Sequence, residues 1–454
     1  MKEKAFAMNP QVKMLTMVAG MAAAAAVGGY LLAGYPREVG ALAVLAAVSV
    51  YLAARHPEVV FVFFLTAGFY KNDPRFHLPG IDITVLFGAL TMAGIAFNYW
   101  MKKEKPELPP RNMFVPYAVI AWFGALSLMY TSAPLYGMDK FTRLVTITAF
   151  SLVAPFYLFQ ERRQFRNFFI AFVAIALLML SDVWGKANMG SAEVEDSAFG
   201  SNYLAFGFAE GVAFLVVFLY FFLADRSLLR RAAYICFLAP AIVYGLMLSG
   251  ARGPLFSIVL SLAGVMMFGT RPHKYSRKVV FWTLLLAAGG VAFFFFGLES
   301  FTRMYARLDV LTEGGGSSAL QRVEMARSAI RAMLRLPDLF TGLGLGGFST
   351  YYVGYDDIRG AYPHNMFLEL GTEIGISGII ALGALLFLCF KRAKKTVKAA
   401  SGPNYYYAIT VMAYFFFTLF NAMKSGDIND NRFLFSAVGM VYALGKVEED
   451  EPKG

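Results

Sequence analysis

Apolar runs close to the length of a bilayer-crossing helix recur along almost the whole chain, joined by short polar connections. The runs are continuous rather than alternating. They therefore predict helices, since only helices and closed barrels satisfy their backbone groups within hydrocarbon. Fourteen runs can be drawn, the first over residues 15–32 and the last over 433–444. Those at 39–53 and 59–70 are short enough to be tilted or re-entrant, so the expectation is an all-α polytopic membrane protein with about 12 to 14 transmembrane helices. The run at 15–32 is long and lacks a convincing small-residue cleavage site, so it reads as a first transmembrane helix rather than a signal peptide. One stretch breaks the pattern: residues 297–365 are polar, and they end in Tyr362-Pro363-His364-Asn365 where the next apolar run begins.

Composition agrees with the pattern. With 58% hydrophobic and 16% charged residues and a mean hydropathy of +0.56, a soluble globular chain is excluded. The net charge of +11 would suggest nucleic acid in a soluble protein. In a membrane protein it marks cytoplasmic loops instead, so no nucleic-acid partner is expected. Basic residues collect in alternate loops, among them Lys102, Lys103 and Lys105, Arg162, Arg163 and Arg166, and Lys391, Arg392, Lys394, Lys395 and Lys398. That bias predicts both termini in the cytoplasm and the 297–365 stretch as one long extracytoplasmic loop. Residues 130–140, 184–202, 249–254 and 424–432 fall on the same outer face. Cys236 and Cys389 lie in separate predicted helices and imply neither a disulfide nor a metal site. Glu448, Glu449, Asp450 and Glu451 read as a solvated, disordered tail.

Within the long loop, residues 318–336 have helical spacing, ended by Pro337 and followed by the glycine-rich Gly342-Leu343-Gly344-Leu345-Gly346-Gly347. Counting round this amphipathic helix from Arg322 puts Arg327, Arg331 and Arg335 at about 140°, 180° and 220°. They form a polar stripe of the kind that faces solvent or lipid headgroups. Arg322 lies instead on the apolar face, with Ala326, Ala329, Ile330 and Met333 within about 80° of it. A guanidinium there must find a counter-charge, either a bound anion or a structural ion pair.

A second arginine, Arg252, sits in the tight break Ser249-Gly250-Ala251-Arg252-Gly253-Pro254 between two helices. It either snorkels to the interface or binds a ligand. Two guanidinium forks at one face match phosphate oxygens. Of the four histidines, His56 and His273 fall in inner loops and His77 in another outer loop. His364, at an outer helix start, is the candidate general base, or else a helix-entry residue. Asn365 would orient a polar substrate or cap the helix.

Among carboxylates, Glu210, Glu369 and Glu373 are intramembrane candidates that would act in the site or pair with Arg252 or Arg322. Asp427 and Asp430 could orient the His364 imidazole. Asp356 and Asp357 lack further ligands nearby, so no metal and no cofactor is implied. Two arginines for a diphosphate and a histidine for a hydroxyl fit glycosyl transfer from a lipid-linked sugar. A transporter or flippase is the rival from another class, but transporters place their charged sites near the midplane. Here the charges gather at the outer boundary.

Five motifs in order resemble the O-antigen ligase and polymerase superfamily. They are Ser201-Asn202-Tyr203-Leu204-Ala205, Ser249-Gly250-Ala251-Arg252-Gly253, Ser318-Ala319-Leu320-Gln321-Arg322, Leu336-Pro337 running into the glycine run, and Pro363-His364-Asn365 followed by Leu368, Glu369 and Gly375. The resemblance covers roughly residues 202–390. It implies a metal-independent, inverting glycosyltransferase of GT-C type in the bacterial inner membrane, with a periplasmic active site. Arg252 and Arg322 would bind the diphosphate of an undecaprenyl-diphosphate-linked glycan donor, with His364 as base. Asn202 would belong to the site. The acceptor would be lipid A core, the ligase case favoured here, a second lipid-linked glycan or a protein hydroxyl. The expected divisions are an N-terminal bundle (1–200), central helices carrying the Arg252 turn (201–296), the periplasmic loop (297–365), C-terminal helices (366–446) and a cytoplasmic tail (447–454).

Overall fold

The computed structural model describes residues 48–76, 80–103, 105–188, 198–225, 227–269, 317–356, 361–402 and 404–450. The runs expected at 15–32 and 279–296, most of that at 39–53, His77, His273, Asp357 and loop residues 297–316 lie outside them. The described elements are helices: α1 (Val48–Arg55), α2 (Pro57–Thr66), α3 (Ile83–Lys102), α4 (Arg111–Ser127), α5 (Pro134–Leu158), α6 (Arg162–Asn188), α7 (Tyr203–Phe222), α8 (Leu228–Ser249) and α9 (Arg252–Gly269). After the undescribed gap come α10 (Ser317–Met333), α11 (Gly347–Val353), α12 (Met366–Glu373), α13 (Ile376–Ala399), α14 (Asn404–Ala422) and α15 (Arg432–Asp450).

Among the described residues seven helices are long and apolar enough to cross a membrane: α3, α5, α6, α7, α8, α9 and α13. An eighth span is added if α1 and the Pro57–Phe69 segment, bent by 116° at their break, count as one. The bend falls between the two short runs, of which only residues 48–53 of the first are described. The protein is thus an all-α polytopic membrane protein. The two helices with the most buried faces, α14 and α15, are not among the seven. They carry Tyr405, Tyr406, Thr410, Tyr414, Thr418, Asn421 and Ser436, all buried. Helices at the centre of a bundle face other helices rather than lipid, and small or hydrogen-bonding side chains pack well there. Tyr414 and Ser436 join α14 to α15 through their hydroxyls at 3.2 Å.

Helix α5 begins at Pro134, within the connection expected over 130–140, and so takes Lys140 into the bundle. Lys140 is fully buried. Its Nζ donates to Glu369 Oε1 at 2.5 Å and Glu373 Oε2 at 2.6 Å, tying α5 to α12. A buried charge persists only when paired in this way. Glu369 and Glu373 therefore pair with Lys140, and not with Arg252 or Arg322 as considered from the sequence. The tail expectation is also corrected as far as residue 450: α15 continues to Asp450, and Glu448 accepts from Arg162 Nη2 at 2.9 Å, while Glu451 lies outside the described residues.

The glycine run docks the segment that carries α10 onto the bundle. Thr131 Oγ1 donates to the Leu345 carbonyl at 2.7 Å, the Leu345 amide donates to Ser127 Oγ at 3.1 Å, and the Leu343 amide donates to the Thr372 carbonyl at 2.8 Å. Gly344 has φ +83°, and a Cβ there would lie 2.6 Å from Thr131 Cα. Both the backbone conformation and the close approach require glycine. The docked run fixes α10 against α12 through the buried Met325, Ala329 and Ala332.

Candidate functional site

Helix termini converge at one end of the bundle. There α7 and α9 begin, α8 and α14 end, α15 begins, and the chain enters α12. These termini surround a cavity of about 890 Å³ whose wall includes Asn202, Arg252, Arg322, Tyr362, His364, Lys424, Asp430 and Arg432. Aromatic groups line it too: Phe69 stacks on Phe433 at 5.5 Å between ring centroids, and Phe208 lies 4.6 Å from Phe433. The cavity joins a cationic surface to an apolar one.

Each side chain is placed by local structure. Gly250 ends α8 with φ +58°, which lets the chain turn at once into α9, whose first residue is Arg252. Ala251 is buried against Gly207 of α7, where a Cβ would come within 2.7 Å of the Ala251 Cβ. That close approach brings the start of α7 beside Arg252. Asn202 caps α7 by accepting from the Ala205 amide at 2.9 Å. Arg322 is half-buried on α10, while Arg327, Arg331 and Arg335 are exposed, so the stripe and the single inward arginine separate as the helical projection predicts. Ile330, expected on the apolar face, is 41% exposed. The packed strip is narrower and centres on Ala329.

His364 has φ +56°, a left-handed conformation that a non-glycine residue adopts at a cost of roughly 1 kcal/mol or more. Asn365 holds it there. The Asn365 side chain accepts from the Phe367 and Leu368 amides at 3.0 and 3.1 Å, capping α12, and donates to the Met423 carbonyl at 2.9 Å. Its place is therefore the cap rather than the cavity wall. The imidazole lies 4.5 Å from the Tyr362 ring. Its Nδ1 is buried without a hydrogen-bond partner among the described residues, which leaves Nε2 as the ring nitrogen open to a ligand. Burial first, and the nearby Arg322 guanidinium second, hold His364 below its ordinary value. It is neutral at neutral pH, the form a general base needs.

The remaining sequence candidates divide. Asp430 faces the cavity, ringed by protein. Desolvation, then the Asp427 charge, push its carboxyl up to about 6 against the pull of Arg143 and Arg432. Asp427 is buried, accepting from Arg143 Nη2 at 3.3 Å and from the Asn429 and Asp430 amides at 2.8 and 2.7 Å. Neither aspartate hydrogen-bonds His364, so the idea that they orient its ring is not what the geometry gives. Glu210 is fully buried within α7 against Gly245 of α8, away from the cavity wall. Asp356 accepts from the Leu135 and Tyr136 amides at 2.8 and 3.2 Å, capping α5.

Lys424 and Arg432 went unnoticed in the sequence. Their signal was only that both flank a turn, expected on the outer face, that also carries Asp427 and Asp430. Among the described residues, none of Arg252, Arg322, Lys424 and Arg432 forms an ion pair with a carboxylate. Four cations share the wall with one carboxylate, an arrangement suited to a multiply charged anion.

Residues 235–383 match the O-antigen ligase family model. The resemblance carried by the five motifs is thereby borne out over the stretch that holds Arg252, Arg322 and His364. The O-antigen ligase match does not extend to Asn202 on one side or to Lys424, Asp430 and Arg432 on the other, which the fold brings to the same cavity. A search of curated proteins finds no match.

Proposed function

We propose that this protein is an O-antigen ligase-type glycosyltransferase that moves a glycan from undecaprenyl diphosphate to an acceptor hydroxyl at the periplasmic face of the inner membrane. The observation that carries the reading is the meeting of Arg252, Arg322 and His364, from three separated segments, around one cavity that Lys424 and Arg432 also line. In the proposed step, neutral His364 accepts the acceptor's hydroxyl proton at Nε2 as that oxygen bonds to the anomeric carbon. The anomeric carbon to diphosphate bond breaks from the opposite side, inverting the centre, and the electron pair stays on the diphosphate. Arg252 and Arg322 stabilise the growing negative charge with preorganised donors, the role a metal ion fills in other transferases. The aromatic part of the wall, with Phe69, Phe208 and Phe433, suits the apolar and sugar faces of a lipid-linked glycan.

The acceptor favoured is a lipid A core sugar. Purified protein supplied with lipid-linked glycan should attach a single chain to added lipid A core. A ladder of lengthening chains from lipid-linked glycan alone would assign a polymerase instead, and transfer to a protein hydroxyl an oligosaccharyltransferase. Transport of the lipid-linked glycan across vesicles with no transfer to any acceptor would overturn the enzyme reading.

A further inference from the structure

Lys424 stands apart from the other cations on the cavity wall. It sits just beyond α14, in the turn that leads to α15. Its Nζ donates to the Gly253 carbonyl and, at 2.5 Å, to Ser257 Oγ. Both acceptors are neutral, and Gly253 adjoins Arg252. An ammonium drawn out of water onto uncharged acceptors, with no carboxylate as partner among the described residues, lacks the compensation such a group normally has. The groups facing it from the surrounding elements are mostly cationic or uncharged: Arg252 from α9, Arg322 from α10, Tyr362 and His364 from the approach to α12, and Tyr203 from α7. Its own turn adds Asp430, and the start of α15 adds Arg432.

We propose that Lys424 is a third diphosphate ligand, held on Gly253 and Ser257 in the free protein and drawn, together with a proton from solvent, onto a phosphoryl oxygen when the donor binds. The inference rests on the diphosphate reading above. Burial first, and the Arg322 charge second, hold the Lys424 amine down to about 7. A diphosphate diester brings two negative charges that favour the ammonium and so raise that value. Sign follows directly. Affinity is full below the free-protein value, and it falls by up to about tenfold per pH unit as pH rises from there towards the bound-state value. The residue thereby links donor affinity to periplasmic pH.

Calorimetric titration tests this with a water-soluble prenyl-diphosphate-linked N-acetylglucosamine, whose two phosphates keep one charge each across the neutral range. Binding to the full-length protein at pH 8 is measured in buffers of different ionisation enthalpy. Wild type should take up close to one proton per ligand. Lys424→Arg should bind with similar affinity and take up none, because a guanidinium is charged throughout. Lys424→Met should bind roughly 10- to 100-fold more weakly below pH 7, again without the uptake. His364→Gln and Asp430→Asn each remove another group of the wall able to gain a proton, and each should leave the uptake in place. Undiminished uptake in Lys424→Arg, or its loss in His364→Gln or in Asp430→Asn, would overturn the assignment of the proton to Lys424. Unchanged affinity in both Arg252→Ala and Arg322→Ala would instead sink the diphosphate cradle itself.

Discussion

Replacing His364 with alanine should abolish glycan transfer while leaving the melting temperature in detergent near that of wild type, because the side chain is half-buried and packs chiefly against Tyr362. Full turnover in that variant would refute the base assignment. The pH dependence has a definite sign. A base acts in its neutral form, and burial and Arg322 lower the His364 value. At subsaturating donor, where kcat/KM reports the free protein, the rate should therefore hold level as pH falls from 7 to about 6.5, the ordinary imidazole value, and the loss of the base should show only below it. For Arg252→Ala and Arg322→Ala, loss of a charge-assisted contact predicts donor binding weaker by roughly 10- to 100-fold. Direct titration with a polyprenyl diphosphate would measure it. At this scale the sequence was informative where chemistry restricts residue choice. An arginine on an apolar helix face and a histidine at a helix entry are both rare enough to be noticed. Lys424 and Arg432 were silent because lysine and arginine in a turn between helices normally face water, and nothing local says that a cavity lies beneath them.

Helix starts and turns carry the next level of organisation. Asn365 ties the cap of α12 to the Met423 carbonyl and thereby the base to the turn that bears Lys424. Asn365→Ala should cost about 1 kcal/mol of stability from the lost cap. Asn365→Asp retains the acceptor for the cap but loses the donor to Met423. If the tie to that turn matters, the aspartate variant should melt near wild type while kcat falls several-fold; equal kcat would show that the cap alone is needed. The glycine run was legible as a flexible or turning segment, yet its purpose was not. Its fit against Thr131 and Ser127 is a long-range contact between segments some two hundred residues apart, and local periodicity holds no information about such a partner. The narrower packed strip of α10 has the same origin. The projection identifies a face, but α12 decides how much of it is covered.

Across the whole molecule, the buried Lys140 with Glu369 and Glu373 joins α5 to the helix that follows the base. Lys140→Met leaves two carboxyl groups without their cation and should destabilise the fold by about 3 kcal/mol or more. Adding Glu369→Gln and Glu373→Gln should restore much of that loss, as read by melting in detergent. No restoration would mean that the lysine acts by more than charge balance. The expected topology is tested by single cysteines in a Cys236→Ser and Cys389→Ser background. A cysteine at Arg335 should react with a membrane-impermeant thiol reagent from the periplasmic side, and one at Lys395 should not.

Composition and apolar periodicity alone determined that this is a helical membrane protein, because the hydrocarbon core constrains every spanning residue in the same way. The motifs around Arg252, Arg322 and His364 also pointed to the likeness that the O-antigen ligase family model bears out over residues 235–383, since they demand particular residue types at short range. Tertiary structure decided the rest. It buried Lys140, withdrew Glu369, Glu373 and Asp427 into structural pairs, and brought Lys424 and Arg432 to the cavity. Those outcomes depend on which distant helix packs beside each charge, and a charge acquires its partner or its solvent only when the bundle closes.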